Sequence, residues 1–227
     1  MPLPVAPFVV AVRPEDLVAL NAVVRKLRAA EVAWLDEARE AAGLRLLRGT
    51  AASAARGRIR TEFERLRAKG KLAGTRDLVI AREVRAELKF RKMNGACEPV
   101  PVEDARAPGR PVGTRSRSGS VLDPTDLTGR MAVRLPADLG EHLTRACYWK
   151  SAPAVKALRE WQEIWGDGPE VLIRQAERAG ALTVLSLMAA AMAPRPTADD
   201  LLEKARLQAM VVTTGDILRA AVDRALR

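Results

Sequence analysis

The sequence TRDLVIAREVRAELKFRK, residues 75–92, has the periodicity of an amphipathic helix. Ile80, Val84 and Leu88 recur at intervals of four, which places them on one side of a helix and predicts that this side is buried. Thr75 precedes the pattern and can cap the helix, because its hydroxyl can accept a hydrogen bond from a free N–H group of the first turn. Ala, Leu, Arg and Glu dominate the whole chain, so we expect an all-α or nearly all-α fold with at most one or two short strands.

The opposite side of this predicted helix is basic. Arg82, Arg85, Lys89 and Lys92 follow one another at intervals of three, four and three residues. At 100° per residue these four side chains lie together, away from the apolar side. They are candidates for contacts with a polyanion.

A second basic helix is predicted immediately before the first. Ile59, Phe63 and Leu66 fall on one helical side, and glycines at the end of the segment indicate a turn. The two helices together predict a helical hairpin with one basic face. The basic residues of the earlier helix and the turn are Arg56, Arg58, Arg60, Arg65, Arg67, Lys69 and Lys71.

The positive charge of the chain is concentrated in this predicted hairpin. The 227 residues include 38 basic and 28 acidic side chains, a net charge of +10. Residues 56–95 hold 13 basic and 5 acidic side chains, whereas residues 1–55 hold 7 and 6. A solvated helix face usually mixes both signs. We therefore predict that residues 56–95 contact the phosphate backbone of DNA or RNA, although a basic hairpin that docks on an acidic protein surface is an alternative.

Composition divides the chain into two predicted domains. Residues 96–128 replace periodic apolar residues by Pro, Gly, Ser and Arg, which is typical of a linker. A helical N-terminal domain is predicted at residues 1–95 and a helical C-terminal domain at residues 129–227. The N-terminal domain begins with an apolar segment, residues 4–12, that can form a strand.

Apolar spacing and turn signals place the other helices. One is predicted from residue 17 to about 47, with a break near Gly43. In the C-terminal domain, two helices around Cys147 and Trp161 are separated near residues 148–150. Further helices are predicted at about residues 170–193, 197–210 and 214–226, the last two capped by Thr197 and Thr214.

Residues 129–165 resemble the ribbon-helix-helix DNA-binding module. The similarity is carried by GRMAVRLP at residues 129–136, by Asp138, Leu139 and Leu143 in a first helix, and by a second helix that opens at Ser151. In that family two subunits pair this strand into a ribbon that enters the major groove.

The alternation of the strand fits this resemblance. Met131, Val133 and Leu135 would then face the core, and the resemblance implies that Arg130 and Arg134 face the groove. This makes a DNA-binding regulator or plasmid accessory protein an alternative function. Residues 11–17 show a weaker similarity to the same pattern, which is compatible with an internal duplication.

The sequence contains no recognised catalytic or cofactor motif. His142 is the single histidine, and no nucleophile motif accompanies it. Cys97 and Cys147 are far apart and lack metal-ligand spacing. No phosphate-binding glycine loop or HExxH motif is present. We therefore expect a protein that is not an enzyme and that uses no cofactor or metal.

A cytoplasmic location is expected. The first residues lack the charged and apolar regions of a secretory signal. The longest apolar stretch, residues 179–193, is shorter than the roughly 20 residues that cross a bilayer. The Ala-rich C-terminal helices predict contacts with further copies or with other protein subunits, for example in a ribonucleoprotein.

Overall fold

The computed structural model describes residues 4–102, 126–165, 188 and 195–227. Within them the chain forms six helices and one two-stranded sheet, which confirms the predicted nearly all-α fold. The predicted helix at residues 170–193 and most of the predicted linker lie outside the described residues. The elements are β1 (Val5–Val12), α1 (Pro14–Ala41), α2 (Gly49–Ala68), α3 (Arg76–Phe90), β2 (Gly129–Pro136), α4 (Ala137–Trp165), α5 (Ala198–Met210) and α6 (Thr214–Ala225).

The sheet is an antiparallel pair formed within one chain. Its register places Val5 opposite Pro136 and Val12 opposite Gly129. Since side chains alternate along a strand, each strand presents one apolar side to the core. The buried side chains are Phe8, Val10 and Val12 of β1 and Met131, Val133 and Leu135 of β2. The predicted alternation of β2 is therefore confirmed.

Helix α3 lies against the core along its whole length. Val79, Ile80 and Val84 are fully buried, and Leu88 is nearly so. The helix packs mainly on α6 and β2, where Ile217 and other apolar side chains complete the core. The same core contains residues of β1 and of α4. It therefore joins the two segments that composition assigns to separate domains.

Local signals in the sequence set most helix ends. Pro14 occupies the first turn of α1, where its missing N–H group has no helical partner to lose. The break near Gly43 is present, and Gly43 has a φ of 59°. Thr197 caps α5 as predicted. Helix α6 is capped one residue earlier than predicted, because Thr213 rather than Thr214 exchanges hydrogen bonds with Asp216.

The predicted break in the middle of α4 is wrong, because residues 137–165 form one helix that contains Pro153. The segment around residues 148–150 has no glycine that would end a helix. A long-range contact also holds this part of the helix. The Ser151 hydroxyl donates to the carbonyl of Val212 at 2.9 Å and accepts from its N–H group at 2.8 Å. Among the described residues, no helix is long and apolar enough to cross a membrane.

Candidate nucleic-acid interface

Helices α2 and α3 do not pack together as the predicted hairpin. Helix α2 lies on α1, where the rings of Trp34 and Phe63 are 5.8 Å apart. Arg67 joins the same two helices through an ion pair with Glu31, at 3.0 Å. The reason is the width of the buried surface. Seven residues of α3 are buried, whereas α2 buries only two alanines and has a narrow apolar stripe that α1 covers. The predicted single basic face is therefore divided.

Three of the predicted arginines on α2 are held by carboxylates. Besides Arg67, Arg60 pairs with Glu64 at 3.0 Å and Arg65 with Glu62 at 2.6 Å. The hydrogen bonds that Arg65 donates to Glu62 lower the pKa of Glu62 and raise the pKa of Arg65. These pairs stabilise the helix surface modestly and leave the arginines less available to an external anion.

Four other basic residues of this segment are exposed and have no ion pair among the described residues. They are Arg56 and Arg58 within α2, and Lys69 and Lys71 in the turn after it. Gly70, between the two lysines, has a φ of 69°, and the N–H group of Lys71 reaches back to the carbonyl of Leu66 at 3.0 Å. This helix-ending motif turns the chain, so both lysines project from the end of α2.

On α3 the predicted basic side is present and exposed. Arg85 and Lys89 are exposed and have no ion pair among the described residues, opposite the buried Ile80. Arg82 is half-buried and bonded to Glu83 at 2.7 Å, and its aliphatic carbons lie against Gly70.

Lys92 is exposed and follows the end of α3. Its φ of 57° is unusual for a residue with a side chain. The N–H group of the next residue, Met93, donates to the carbonyl of Leu88 at 2.7 Å. Lys92 thus occupies the position in this helix-ending motif that glycine usually fills, so its backbone helps to end the helix whatever its side chain binds.

Arg130 and Arg134 lie on the exposed side of β2, with Ala132 between them. Neither side chain has an ion pair among the described residues. Their cross-strand neighbours on β1 are Ala11 and Pro7, and Val9 stands opposite Ala132. We call these outward residues of the two strands the ribbon face. It carries two positive charges, both from β2.

The strand pairing differs from what the ribbon-helix-helix resemblance implies. One edge of β2 pairs with β1 of the same chain, not with a second subunit. At the other edge, the N–H group of Arg134 donates to Oδ1 of Asp77 at 3.1 Å. The two helices that should follow the strand are replaced by the single helix α4. The apolar segment at residues 4–12 supplies the partner strand because it is long enough to match β2 along its whole length.

The structure also brings together three arginines that the sequence prediction did not include. Arg25 and Arg28 of α1 and Arg76 of α3 line an open groove of about 330 Å³. The other residues of the groove are Asn21, Val24, Gly74, Thr75, Asp77 and Ala132. The three-residue spacing of Arg25 and Arg28 places them on one side of a helix, which is a weak signal of a shared site. Charge counting along the sequence misses it because residues 1–55 are nearly balanced in charge.

The single histidine contacts a backbone carbonyl, and the two cysteines are buried or half-buried. His142 Nε2 lies 3.0 Å from the carbonyl oxygen of Met93. Cys147 is buried, and this burial raises the pKa of its thiol to about 12; Cys97 is half-buried and free. In the described part of the chain, no three His, Cys, Asp or Glu side chains form a group that could hold a metal ion.

Comparisons with protein-family models, with curated proteins and with solved structures find no match for this chain.

Proposed function

We propose that this chain is a non-catalytic nucleic-acid-binding protein that contacts the phosphate backbone through its basic segment, residues 56–95. One observation carries the proposal: seven of the eleven predicted basic residues in this segment are exposed and have no ion pair within the described residues. They are Arg56, Arg58, Lys69, Lys71, Arg85, Lys89 and Lys92.

Unpaired cations suit phosphate binding better than paired ones. A carboxylate bonded to an arginine offsets its positive charge, so that the pair attracts a phosphate less than an unpaired cation does. An unpaired cation instead displaces the small ions condensed on the nucleic acid, and their release favours binding at low salt. Contacts of this kind do not distinguish one sequence from another. We therefore infer that binding is general and strongly dependent on salt.

Charge reversal on α3 tests this function. The double variant Arg85→Glu/Lys89→Glu changes two exposed side chains and leaves the half-buried Arg82 in place. A matched control, Lys150→Glu/Arg206→Glu, reverses two exposed charges on α4 and α5 that have no ion pair among the described residues. Fluorescence anisotropy with a labelled oligonucleotide should show a large loss of affinity for the first variant only. If about six phosphates are contacted, log affinity should fall with log salt at a slope of about −5 on duplex DNA.

Unchanged affinity in a folded Arg85→Glu/Lys89→Glu protein would contradict the proposal. Failure of the unaltered protein to bind any DNA or RNA would favour the alternative of an acidic protein partner. Circular dichroism and thermal unfolding of both variants give the necessary check of folding, because surface substitutions of this kind should change stability by less than about 0.5 kcal/mol.

A second candidate function is sequence-specific reading of duplex DNA by the ribbon face. It is favoured by the exposure of Arg130 and Arg134 on one side of an antiparallel ribbon, an element that can enter a major groove. In that case Arg134→Ala should reduce the difference in binding free energy between two unrelated duplexes by about 1–3 kcal/mol. Equal loss for both duplexes and for single-stranded RNA would leave only the backbone contacts of the first proposal.

The surface of α5 supports a role within a larger nucleoprotein assembly. None of its residues is buried, and Leu201, Leu202 and Met210 are at least half exposed. Apolar side chains of this kind are common where protein subunits meet. We infer that further copies or other subunits cover this helix when the chain is bound to nucleic acid.

A further inference from the structure

The groove lined by Arg25, Arg28 and Arg76 lies where three elements from distant parts of the sequence converge. Helix α1 supplies Arg25 and Arg28, the beginning of α3 supplies Arg76, and the outer edge of β2 supplies Ala132. Among the described residues, Asp77 is the acidic residue that lines it; the carboxylate of Glu31 lies close to Gly74 but is bound by Arg67 at 3.0 Å. Three guanidinium groups around one groove repel one another, and one carboxylate compensates them only in part. An anion in the groove would remove this repulsion.

The carboxylate of Asp77 is already used in the fold. Its Oδ1 accepts the hydrogen bond from the N–H group of Arg134 at 3.1 Å, and its position in the first turn of α3 suits a negative charge. Asp77 therefore has a structural role, and none of the three arginines has an ion pair with it or with another described carboxylate.

Hydrogen-bond donors in the groove remain available. Arg76 donates through one Nη2 contact to Oδ1 of Asn21 at 3.2 Å, which leaves its Nη1 donors uncommitted, whereas its Nε is buried and has no acceptor among the described residues. The first N–H groups of α3 have no partner within the helix, because an α-helix leaves its first turn unsatisfied. One of these N–H groups, that of Leu78, donates to the hydroxyl of Thr75. The beginning of α3, with Thr75, Arg76 and Asp77, thus lines the same groove as Arg25 and Arg28.

The groove also adjoins the ribbon face. Ala132 borders the groove, and Arg130 and Arg134 lie two residues to either side of it. Because the direction of backbone hydrogen bonds alternates along a strand, the N–H group of Ala132 faces the same outer edge as that of Arg134. A nucleic-acid backbone that passes the ribbon face would therefore pass the mouth of the groove.

We propose that this groove binds one phosphodiester group of a nucleic-acid backbone, with Arg25, Arg28 and Arg76 as its charged ligands. The inference rests on the proposed nucleic-acid-binding function and adds a site outside the basic segment that charge counting identifies. It gives the ribbon face a fixed anchor at its edge, and it makes Asp77 a residue whose charge opposes binding.

The test combines substitutions that should weaken binding with one that should strengthen it. Arg25→Gln/Arg28→Gln should weaken binding of a labelled duplex about tenfold, since charge-assisted hydrogen bonds are among the stronger ones, and should reduce the salt slope by about one unit. The matched control, Lys26→Gln/Arg45→Gln, removes two exposed charges that have no ion pair among the described residues and lie outside the groove, and it should have a much smaller effect. Asp77→Asn keeps an oxygen acceptor for Arg134 and should strengthen binding several-fold.

The outcomes separate the inference from the function on which it rests. If Arg85→Glu/Lys89→Glu weakens binding but Arg25→Gln/Arg28→Gln behaves like its control, the groove proposal is overturned and the proposed function stands. If the unaltered protein binds no oligonucleotide, the proposed function fails and the groove proposal with it. Inorganic phosphate should compete only weakly; groove-dependent binding of inorganic phosphate without binding of nucleic acid would replace the phosphodiester by a free phosphate.

Discussion

Glu87 is the residue through which α3 is tied to the last helix of the chain. Its side chain is only 6% exposed, and its two oxygens accept from Arg91 at 2.6 Å and from Arg224 at 2.7 Å. Arg224 also lies over the ring of Phe90, 5.4 Å from its centre. Burial opposes ionisation of Glu87, but the hydrogen bonds from the two arginines outweigh it and leave the pKa of the carboxyl below its ordinary value. The carboxylate is therefore a structural group.

This lowered pKa predicts a loss of stability in acid. A carboxyl whose pKa is lower in the folded state contributes stability above its unfolded pKa, near 4.5, and loses it as the pH falls through the lower folded value. Urea unfolding at several pH values should show this decline. Glu87→Gln should cost about 2 kcal/mol at neutral pH and should make the decline shallower. An equal acid response in both proteins would contradict the role of Glu87.

At the scale of elements, the pairing of β1 with β2 brings the two halves of the chain together. Each strand is followed directly by a long helix, α1 after β1 and α4 after β2. Gly140 allows α4 to approach β1, since a β-carbon placed there would lie 2.5 Å from that of Ala6. The faint repetition noticed in the sequence therefore corresponds to two strand-helix units that pair within one chain.

A cross-strand disulfide tests this intrachain pairing. Val9 and Ala132 are opposite each other and exposed. They form a pair without mutual hydrogen bonds, for which the Cα atoms lie about 4.5 Å apart, within the range of disulfides. In a Cys97→Ser background, Val9→Cys/Ala132→Cys should oxidise to a disulfide-linked monomer on a non-reducing gel. The high pKa of buried Cys147 keeps it unreactive.

Val9→Cys alone is the control, because it should remain a free thiol. A disulfide-linked dimer of the double variant would instead show that the strands pair between two chains, as the ribbon-helix-helix resemblance implies. Two free thiols under oxidising conditions would contradict the register.

At the scale of the whole molecule, a single core extends from Phe8 to Val222. Helix α3 is enclosed by α6 and β2, although more than 120 residues separate α3 from α6 along the chain. The predicted basic residues that remain unpaired lie around this core on α2, α3 and β2 and directly after the two helices, while the groove arginines add α1. The positive surface is thus an outcome of the packing, and the segment of residues 56–95 is one part of it.

Cutting the chain tests whether the halves depend on each other. A protease site inserted between residues 110 and 120 would divide the chain between α3 and β2. After cleavage, the two pieces should elute together in size-exclusion chromatography and separate only in denaturant, because each alone would expose half of the core. Val133→Asp, which places a charge in the core, should release them. Separate elution of the cleaved but otherwise unaltered pieces would show two independent domains.

The sequence predicted the features that depend on interactions between residues close together along the chain. The periodicity of Ile80, Val84 and Leu88, the cap at Thr197 and the break at Gly43 each depend on contacts within a few residues, and all three are present in the structure. The exposure of Arg85 and Lys89 follows from the same helical geometry. The nearly all-α fold was predictable because residue preferences add along each helix.

Contacts between distant residues were decided only by the tertiary structure. The pairing of β1 with β2, the packing of α2 on α1 and the long-range bond that accompanies the unbroken α4 depend on which apolar surfaces fit together, and neighbouring residues do not encode that choice. The same holds for the candidate interface. Arg25, Arg28 and Arg76 become one groove only because α1, α3 and β2 converge, and charge counted along a sequence cannot detect charge that folding brings together.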